Sequence, residues 1–147
     1  MKVLILGVTT RAGLSLLRKL AKDGVMVVGA DAEPYPLGLN SRYSGQDYTY
    51  KTGSSLEFFT SVQDILIHEK PDVLIPIKHT WELIEHRDQI ERYTHLLLPP
   101  RECYQVADDN YKTLEECCSL GIPSPCIYSN EEAINLLKQY EANEDEI

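Results

Sequence analysis

The sequence has no apolar run approaching the roughly 18 residues that a membrane-spanning helix needs. Its first residues, Met1-Lys2-Val3-Leu4-Ile5-Leu6-Gly7, resemble a signal peptide, but the apolar run is short and Arg11 follows it, so a strand is the better reading. The four cysteines, Cys103, Cys117, Cys118 and Cys126, show no Cys-x-x-Cys spacing. That removes the common zinc and redox motifs and, without a secretory signal, leaves reduced thiols in a cytoplasmic protein. Positive charge is also scarce, with 14 Lys and Arg against 23 Asp and Glu for a formal charge of −9. Such a surface repels phosphate backbones, which excludes nucleic acid and anionic membranes as partners. What is present suffices for a core. The hydrophobic fraction is 43% over 147 residues, and a chain of that size buries roughly 68% of its unfolded surface. The acidic excess is uneven, since Glu141, Glu144, Asp145 and Glu146 crowd the end of the chain.

The first hundred residues alternate between strand and helix patterns. Lys2 to Val8 is almost wholly aliphatic, as expected of a strand covered on both faces. A turn over Gly7 to Gly13 follows, then Leu14, Leu17, Leu20 and Ala21 at helical spacing up to Asp23-Gly24. Val25 to Ala30 reads as a second strand ended by Asp31, residues 32–46 as loop, and Asp47 to Lys51 as a weaker strand. Ser54 and Glu57 form a capping box before a helix with Phe58, Phe59, Val62, Ile65 and Leu66 on one face. A strand over Val73 to Ile77, a helix from about Thr80 to Tyr93 and a strand at His95 to Leu98 complete the alternation. The expected fold is α/β: a Rossmann-like, mostly parallel sheet with helices on both faces. After Pro99-Pro100 a short α-rich extension is expected, with helices near 102–106, 110–119 and 130–140, a short strand at Cys126 to Tyr128, and a frayed acidic tail. The expected division is 1–100 and 101–147.

Three segments could carry chemistry. In the turn Gly7-Val8-Thr9-Thr10-Arg11-Ala12-Gly13, backbone N–H groups and the helix dipole favour an anion, and Asp31 ends the second strand where dinucleotide-binding proteins keep a ribose acid. Yet the Gly-x-Gly-x-x-Gly fingerprint fails at Thr9. The run fits the Gly-x-Thr-Gly-x-x-Gly pattern of extended short-chain dehydrogenases except at Thr10, but no tyrosine has a lysine four residues later, as those enzymes require. NAD is therefore disfavoured, and a tight turn needing Gly7 and Gly13 for close packing is the plainer alternative. The second segment is Lys78-His79-Thr80-Trp81-Glu82, at the carboxyl end of a strand where ligands of open α/β sheets bind. His79, Glu82 and His86 have the spacing of one helix face, which more often marks a solvated face than a metal site, and no metal site is expected. The third is Lys112, just inside a helix, where a cation opposes the dipole unless an anion faces it.

Taken together, Lys2 to Gly13, Val28-Gly29-Ala30-Asp31, Pro71 to Glu82 and Asp108 to Pro125 resemble the amino-terminal region of ATP-grasp ligases. The branch resembled is that of the carbamoyl phosphate synthase large subunit and other carboxylate–amine ligases. Asp109-Asn110-Tyr111-Lys112 followed by Leu120-Gly121-Ile122-Pro123-Ser124-Pro125 is the most specific part, and Ile75 to Glu82 looks like that family's Pro-Thr-x-Glu-Glu stretch. The resemblance implies a pre-ATP-grasp domain over 1–100 and the start of the grasp region over 101–147. It implies that Lys112 approaches nucleotide phosphates, and that Gly7, Thr9, Thr10, Arg11, Asp31, Thr80 and Glu82 shape the substrate site. ATP and Mg2+ belong to the complete enzyme, and neither is expected to bind this chain tightly by itself. The second phosphate-binding lysine, the glycine-rich loop and the magnesium carboxylates of that family have no counterpart in these residues. The expectation is therefore a domain that is not catalytic alone and works with an ATP-grasp domain in cis or in trans, with self-association into a homo-oligomer left open. The alternatives are a Rossmann-type module for a nucleotide or small anion, and an interaction domain docking through residues 101–147, where Leu114, Cys118, Ile134 and Leu137 have little core of their own.

Overall fold

The computed structural model describes residues 1–32 and 41–144 and divides into two compact units, Met1–Pro100 and Arg101–Ile147. In the first, β1 (Lys2–Leu6), α1 (Arg11–Lys22), β2 (Met26–Asp31), β3 (Gln46–Thr49), α2 (Ser55–Glu69), β4 (Val73–Pro76), α3 (Thr80–Glu85), α4 (Arg87–Ile90) and β5 (His95–Leu96) follow one another. The sheet runs β3-β2-β1-β4-β5 and every pairing is parallel. This is the layer expected from the sequence. Parallel strands need covering on both faces, and the two cores supply it. On one face Leu4, Leu6, Val28, Ala30, Leu74 and Leu96 meet Phe58, Phe59, Val62, Ile65 and Leu66 of α2, with Leu83 and Ile90 from the short helices. On the other, Val3, Ile5 and Val27 pack on Leu17, with Leu16, Leu20 and Ala21 of α1 partly buried around them. Each fully buried aliphatic side chain there contributes roughly 1.5–3 kcal/mol.

Local signals set the helix boundaries. Thr10 caps α1 by accepting from the Gly13 N–H, and Ser54 caps α2 by accepting from the Glu57 N–H. α2 ends at Lys70, whose φ of 46° is left-handed, and Pro71 prevents continuation. Lys2 reaches from β1 to the end of α2, donating to the Glu69 backbone oxygen at 2.7 Å and carboxylate at 2.9 Å.

The single helix expected over Thr80 to Tyr93 is two. It breaks at His86 (φ −104°, ψ 15°), whose ring stacks on Phe59 at 4.4 Å and whose Nε2 lies 3.1 Å from Ser55 Oγ. β1, β3, β4 and β5 end a residue or two earlier than the runs that signal them, and β2 ends one residue later, at Asp31, the usual scale of such differences. Of the expected loop 32–46, residues 33–40 lie outside the described ones.

In the second unit, α5 (Arg101–Ala107), α6 (Asn110–Ser119) and α7 (Asn130–Glu144) are helical. The strand expected at Cys126 to Tyr128 is absent. Pro123 and Pro125 precede it, and no ladder among the described residues of this unit offers it a partner. α7 runs past Tyr140 to Glu144, so part of the tail read as frayed is helical, while residues 145–147 lie outside the described ones. No helix of the described residues is long and apolar enough to cross a membrane.

Candidate functional site

In this strand order the chain leaves β1 and β4 in opposite directions, so the crevice between their carboxyl ends is the topological switch point. Gly7 follows β1 there with φ +91°, and a Cβ on it would come within 3.0 Å of Lys78 Cγ and 3.1 Å of the Lys78 nitrogen. A Cβ on Gly13 would stand 2.4 Å from the Gly7 carbonyl oxygen. The two glycines let the turn, the first turn of α1 and the β4–α3 loop approach more closely than other residues allow.

The turn's polar groups point at one another. Asp31, with no exposure, accepts from the Thr9 N–H at 2.7 Å and from the Thr9 hydroxyl through Oδ2, and from the Ala32 N–H at 2.8 Å through Oδ1. Lys78 Nζ donates to Thr9 Oγ1 at 2.9 Å and lies 3.5 Å from Asp31 Oδ1. Burial raises the Asp31 pKa, but the Thr9 side-chain and backbone hydrogen bonds, the Lys78 charge and the Ala32 N–H outweigh it and hold the carboxyl below its ordinary 3.8. Thr10 Oγ1 donates to the Gly7 carbonyl at 2.9 Å while accepting from Gly13. The turn that resembles a phosphate cradle thus already holds an anion, the chain's own Asp31. A buried carboxylate with these donors is not placed to take a ribose hydroxyl. Arg11 stands exposed at the start of α1, outside these contacts.

Beside it, still at the carboxyl edge, a cavity of about 320 Å³ opens among Thr52, Gly53, Ser54, Ser55, Phe58, His79 and Glu82. It sits where α2 begins, so backbone N–H groups and hydroxyls face it from one side. From the other, Glu82 presents a carboxylate whose side chain is 40% exposed and lies 3.2 Å from His79 Nδ1. His79 is the N-cap of α3 with φ 59° and ψ 34°, a left-handed geometry costing an L-residue roughly 1–2 kcal/mol. Ring packing holds it there, with Tyr50 at 5.5 Å and 90° and Phe58 at 5.0 Å. Strain of this kind concentrates at functional sites. Tyr50 joins the two halves: its N–H donates to the Asp31 carbonyl at 3.1 Å, and its ring meets Phe58 edge-on. Its buried hydroxyl has no hydrogen-bond partner among the described residues, and burial, then the charges of Asp31 and Glu82, raise its pKa.

The structure therefore brings Gly7, Thr9, Thr10 and Asp31 together in one node, with Glu82 on the adjoining cavity and Thr80 opening α3. Sequence reasoning placed Lys78 in the second segment but gave it no part in the node it completes, and it missed Thr52 to Ser55, which complete the cavity. The capping box at Ser54 was the available signal, since it places a helix start at the carboxyl edge. His79 and His86 diverge onto Phe58 and Phe59, and among the described residues no group of three His, Cys, Asp or Glu is placed to hold a metal ion. Lys112 lies in the second unit. The anion facing it is Asp109, the cap of α6, whose Oδ2 is 3.7 Å from its Nζ.

No family model and no curated protein sequence matches the chain. Solved structures do. The chain is similar to glycinamide-RNase-transformylase T from Mycobacterium tuberculosis, with a TM-score of 0.64 and 18% identity over 87% of this chain and 38% of that one. It is similar to the biotin carboxylase domain of a single-chain bacterial carboxylase, at 0.61 and 16% over 95% of this chain and 34% of that one. A third is the biotin carboxylase domain of Hydrogenobacter thermophilus 2-oxoglutarate carboxylase, solved with MgADP, ADP and bicarbonate, at 0.57 and 16% over 94% and 32%. The chain shares the α/β fold of part of each of these structures. It spans about a third of the length of these structures.

Proposed function

We infer that this chain is the amino-terminal portion of an ATP-dependent ligase of the ATP-grasp type, one that shapes the acceptor site and does not turn over alone. The observation that carries the reading is the state of the second unit. None of its side chains described is buried, and Tyr111, Leu120, Ile122, Tyr128, Ile134, Leu136 and Leu137 are all exposed. Apolar exposure on this scale marks a surface made to be covered. The covering element proposed is the rest of a grasp domain, in cis or in trans, in keeping with the span relative to the similar structures. The Asp109 to Pro125 segment favours the carboxylate–amine branch that resembles the carbamoyl phosphate synthase large subunit.

In that assembly ATP with magnesium would supply the phosphoryl group that activates a carboxylate. The residues here fit one contact to such a nucleotide, from Lys112, whose ammonium is partly exposed at a helix start. They do not fit a magnesium site, because the described carboxylates do not converge. What this chain contributes is the acceptor cavity. Glu82 accepts hydrogen bonds from an amine or amide, and the start of α2 donates to an anionic or carbonyl group on the same molecule. A nucleotide-binding module centred on Asp31 fits less well, because Thr9, Ala32 and Lys78 occupy that carboxylate. The free cysteines accord with a cytoplasmic setting.

Mixed with ATP, magnesium and candidate amines and carboxylates, the chain alone is expected to release no ADP. Small amino acids and amides are expected to shift amide resonances at residues 52–55, 79 and 82. Glu82→Gln should weaken that binding about ten-fold, the loss of one charge-assisted contact, with stability changed by less than about 0.5 kcal/mol. Robust turnover by the isolated chain, or binding indifferent to Glu82, would sink the reading.

A further inference from the structure

The opposite edge of the sheet carries a concave patch of one charge. α1 runs back from the turn after β1 toward the start of β2, so its last turns lie beside the amino ends of the strands. Arg18 and Lys22, four residues apart, share a face there. Ser41, Arg42 and Tyr43 arrive at the same edge just before β3, and the five residues line an open cleft of about 510 Å³. The Arg42 guanidinium lies 4.9 Å from the centre of the Tyr43 ring and donates to its hydroxyl at 2.9 Å. Lys22 Nζ lies 5.8 Å from the same ring.

Acidic residues outnumber basic ones 23 to 14 in this chain, yet among the described residues none of these three cations forms an ion pair with a carboxylate. Their neighbour Lys19 shows the ordinary arrangement, bound to Asp23 at 2.6 Å. The dipole at the end of α1 favours Lys22 and does nothing for Arg42, which precedes a strand. Three like charges around one concavity repel each other unless an anion lies between them. Because Arg42 donates to the Tyr43 oxygen, the tyrosine keeps its own proton to donate, so the cleft offers a planar fork, a hydroxyl donor and two long flexible cations. Those cations also lower the Tyr43 pKa, the Arg42 hydrogen bond first.

We propose that this cleft binds a small polyvalent phosphoryl anion of the diphosphate type, with Arg18, Lys22 and Arg42 as counter-charges and Tyr43 as a hydroxyl donor. Three cations match the charge of a diphosphate better than that of a single phosphate, and the guanidinium fork suits phosphoryl oxygens bidentately. The cleft lies at the edge away from Glu82 and does not depend on the acceptor-site reading.

The test is titration of the chain with inorganic pyrophosphate and with phosphate at low salt, followed by calorimetry and amide chemical shifts. Saturable pyrophosphate binding is expected, with shifts centred on residues 18, 22 and 41–43 and about ten-fold tighter than phosphate. Arg18→Ala and Lys22→Ala should each weaken it about ten-fold, and Arg42→Lys, which keeps the charge and loses the fork, should weaken it as well. Lys19→Ala should leave it unchanged. These side chains are exposed, so unfolding midpoints should not move; if one variant fails to fold, Arg42→Lys decides. No saturable binding at millimolar pyrophosphate overturns the proposal, and so does a Lys19→Ala loss equal to that of Lys22→Ala. Preferential binding of an oligoglutamate peptide over pyrophosphate would assign the cleft to an acidic protein segment and overturn it too.

Discussion

Replacing Asp31 by asparagine keeps the shape of the side chain and removes its charge, which isolates what the buried carboxylate does. In the native chain its two oxygens accept from the Thr9 N–H, the Thr9 hydroxyl and the Ala32 N–H, with Lys78 Nζ at 3.5 Å. The asparagine amide must turn an NH2 group toward Thr9 or toward Ala32, so one N–H faces a donor and loses its acceptor. A hydrogen bond to a charged acceptor is worth about 1.5–3 kcal/mol, and the orphaned donor adds its desolvation. Lys78 loses its counter-charge as well, but its side chain is 33% exposed, so water replaces most of that and the loss is under about 1 kcal/mol. The sum is about 3 kcal/mol. For a unit of this size, that lowers the melting temperature by about 12–24 °C. Lys78→Met should cost less, about 1–2 kcal/mol, because the carboxylate keeps its three shorter contacts. The pH dependence has a definite sign. Asp31 titrates lower folded than unfolded, so its contribution is fully present above its ordinary 3.8 and is lost as pH falls through the folded value. Glu69, held low first by the Tyr48 hydroxyl and then by Lys2, acts in the same direction. Asp47, raised by burial, acts in the opposite one. The readout is therefore the difference between parent and variant in urea unfolding from pH 3 to pH 7, and the Asp31→Asn variant should show a shallower acid slope. A variant within about 0.5 kcal/mol of the parent with an unchanged slope would refute the reasoning, as would a Lys78→Met loss larger than that of Asp31→Asn.

Gly13→Ala should cost about 3 kcal/mol in denaturant unfolding. The added Cβ stands 2.4 Å from a backbone oxygen that cannot swing away, and overpacking of this kind costs roughly 1–3 kcal/mol or more. A loss below about 1 kcal/mol would mean that α1 can lift off the turn. Residues 101–139, with no buried side chain, should exchange amide protons faster than β1, β2 and β4, and equal protection would contradict the account of an uncovered unit.

The sequence made the first unit legible where burial is complete. β1, β2 and β4 are flanked by helices on both faces, so their aliphatic runs left no polar alternation to confuse them. α2 was marked by its own cap and by a buried face that the structure reproduces residue for residue. The errors fall where local pattern is decided by a distant partner. At the break, His86 stacks on Phe59 of α2, a contact that the helical periodicity of Thr80 to Tyr93 does not register. The apolar triplet ending in Tyr128 has strand character but no strand to pair with. The role of Lys78 within its segment could not be read locally, because its hydrogen-bond partner Thr9 lies 69 residues away.

The same distance effect explains why the candidate site moved. Thr9 stands where a dinucleotide fingerprint has glycine, and Asp31 stands where such proteins keep their ribose acid, so each alone points outward to a ligand. Folded together they satisfy one another: Thr9 supplies the N–H and hydroxyl that the carboxylate needs, and Lys78 supplies the charge. Ligand-binding groups at a sheet edge must hold hydrogen-bonding capacity in reserve, and this node has spent most of its own within the fold. The reserve lies one strand over, where Glu82 is partly exposed, the Tyr50 hydroxyl has no partner among the described residues, and the start of α2 faces open space. The network that closes the turn also fixes the β4–α3 loop on which His79 and Glu82 stand. If the cavity is the acceptor site proposed above, Asp31 would act on it through that loop, and not by touching what binds there.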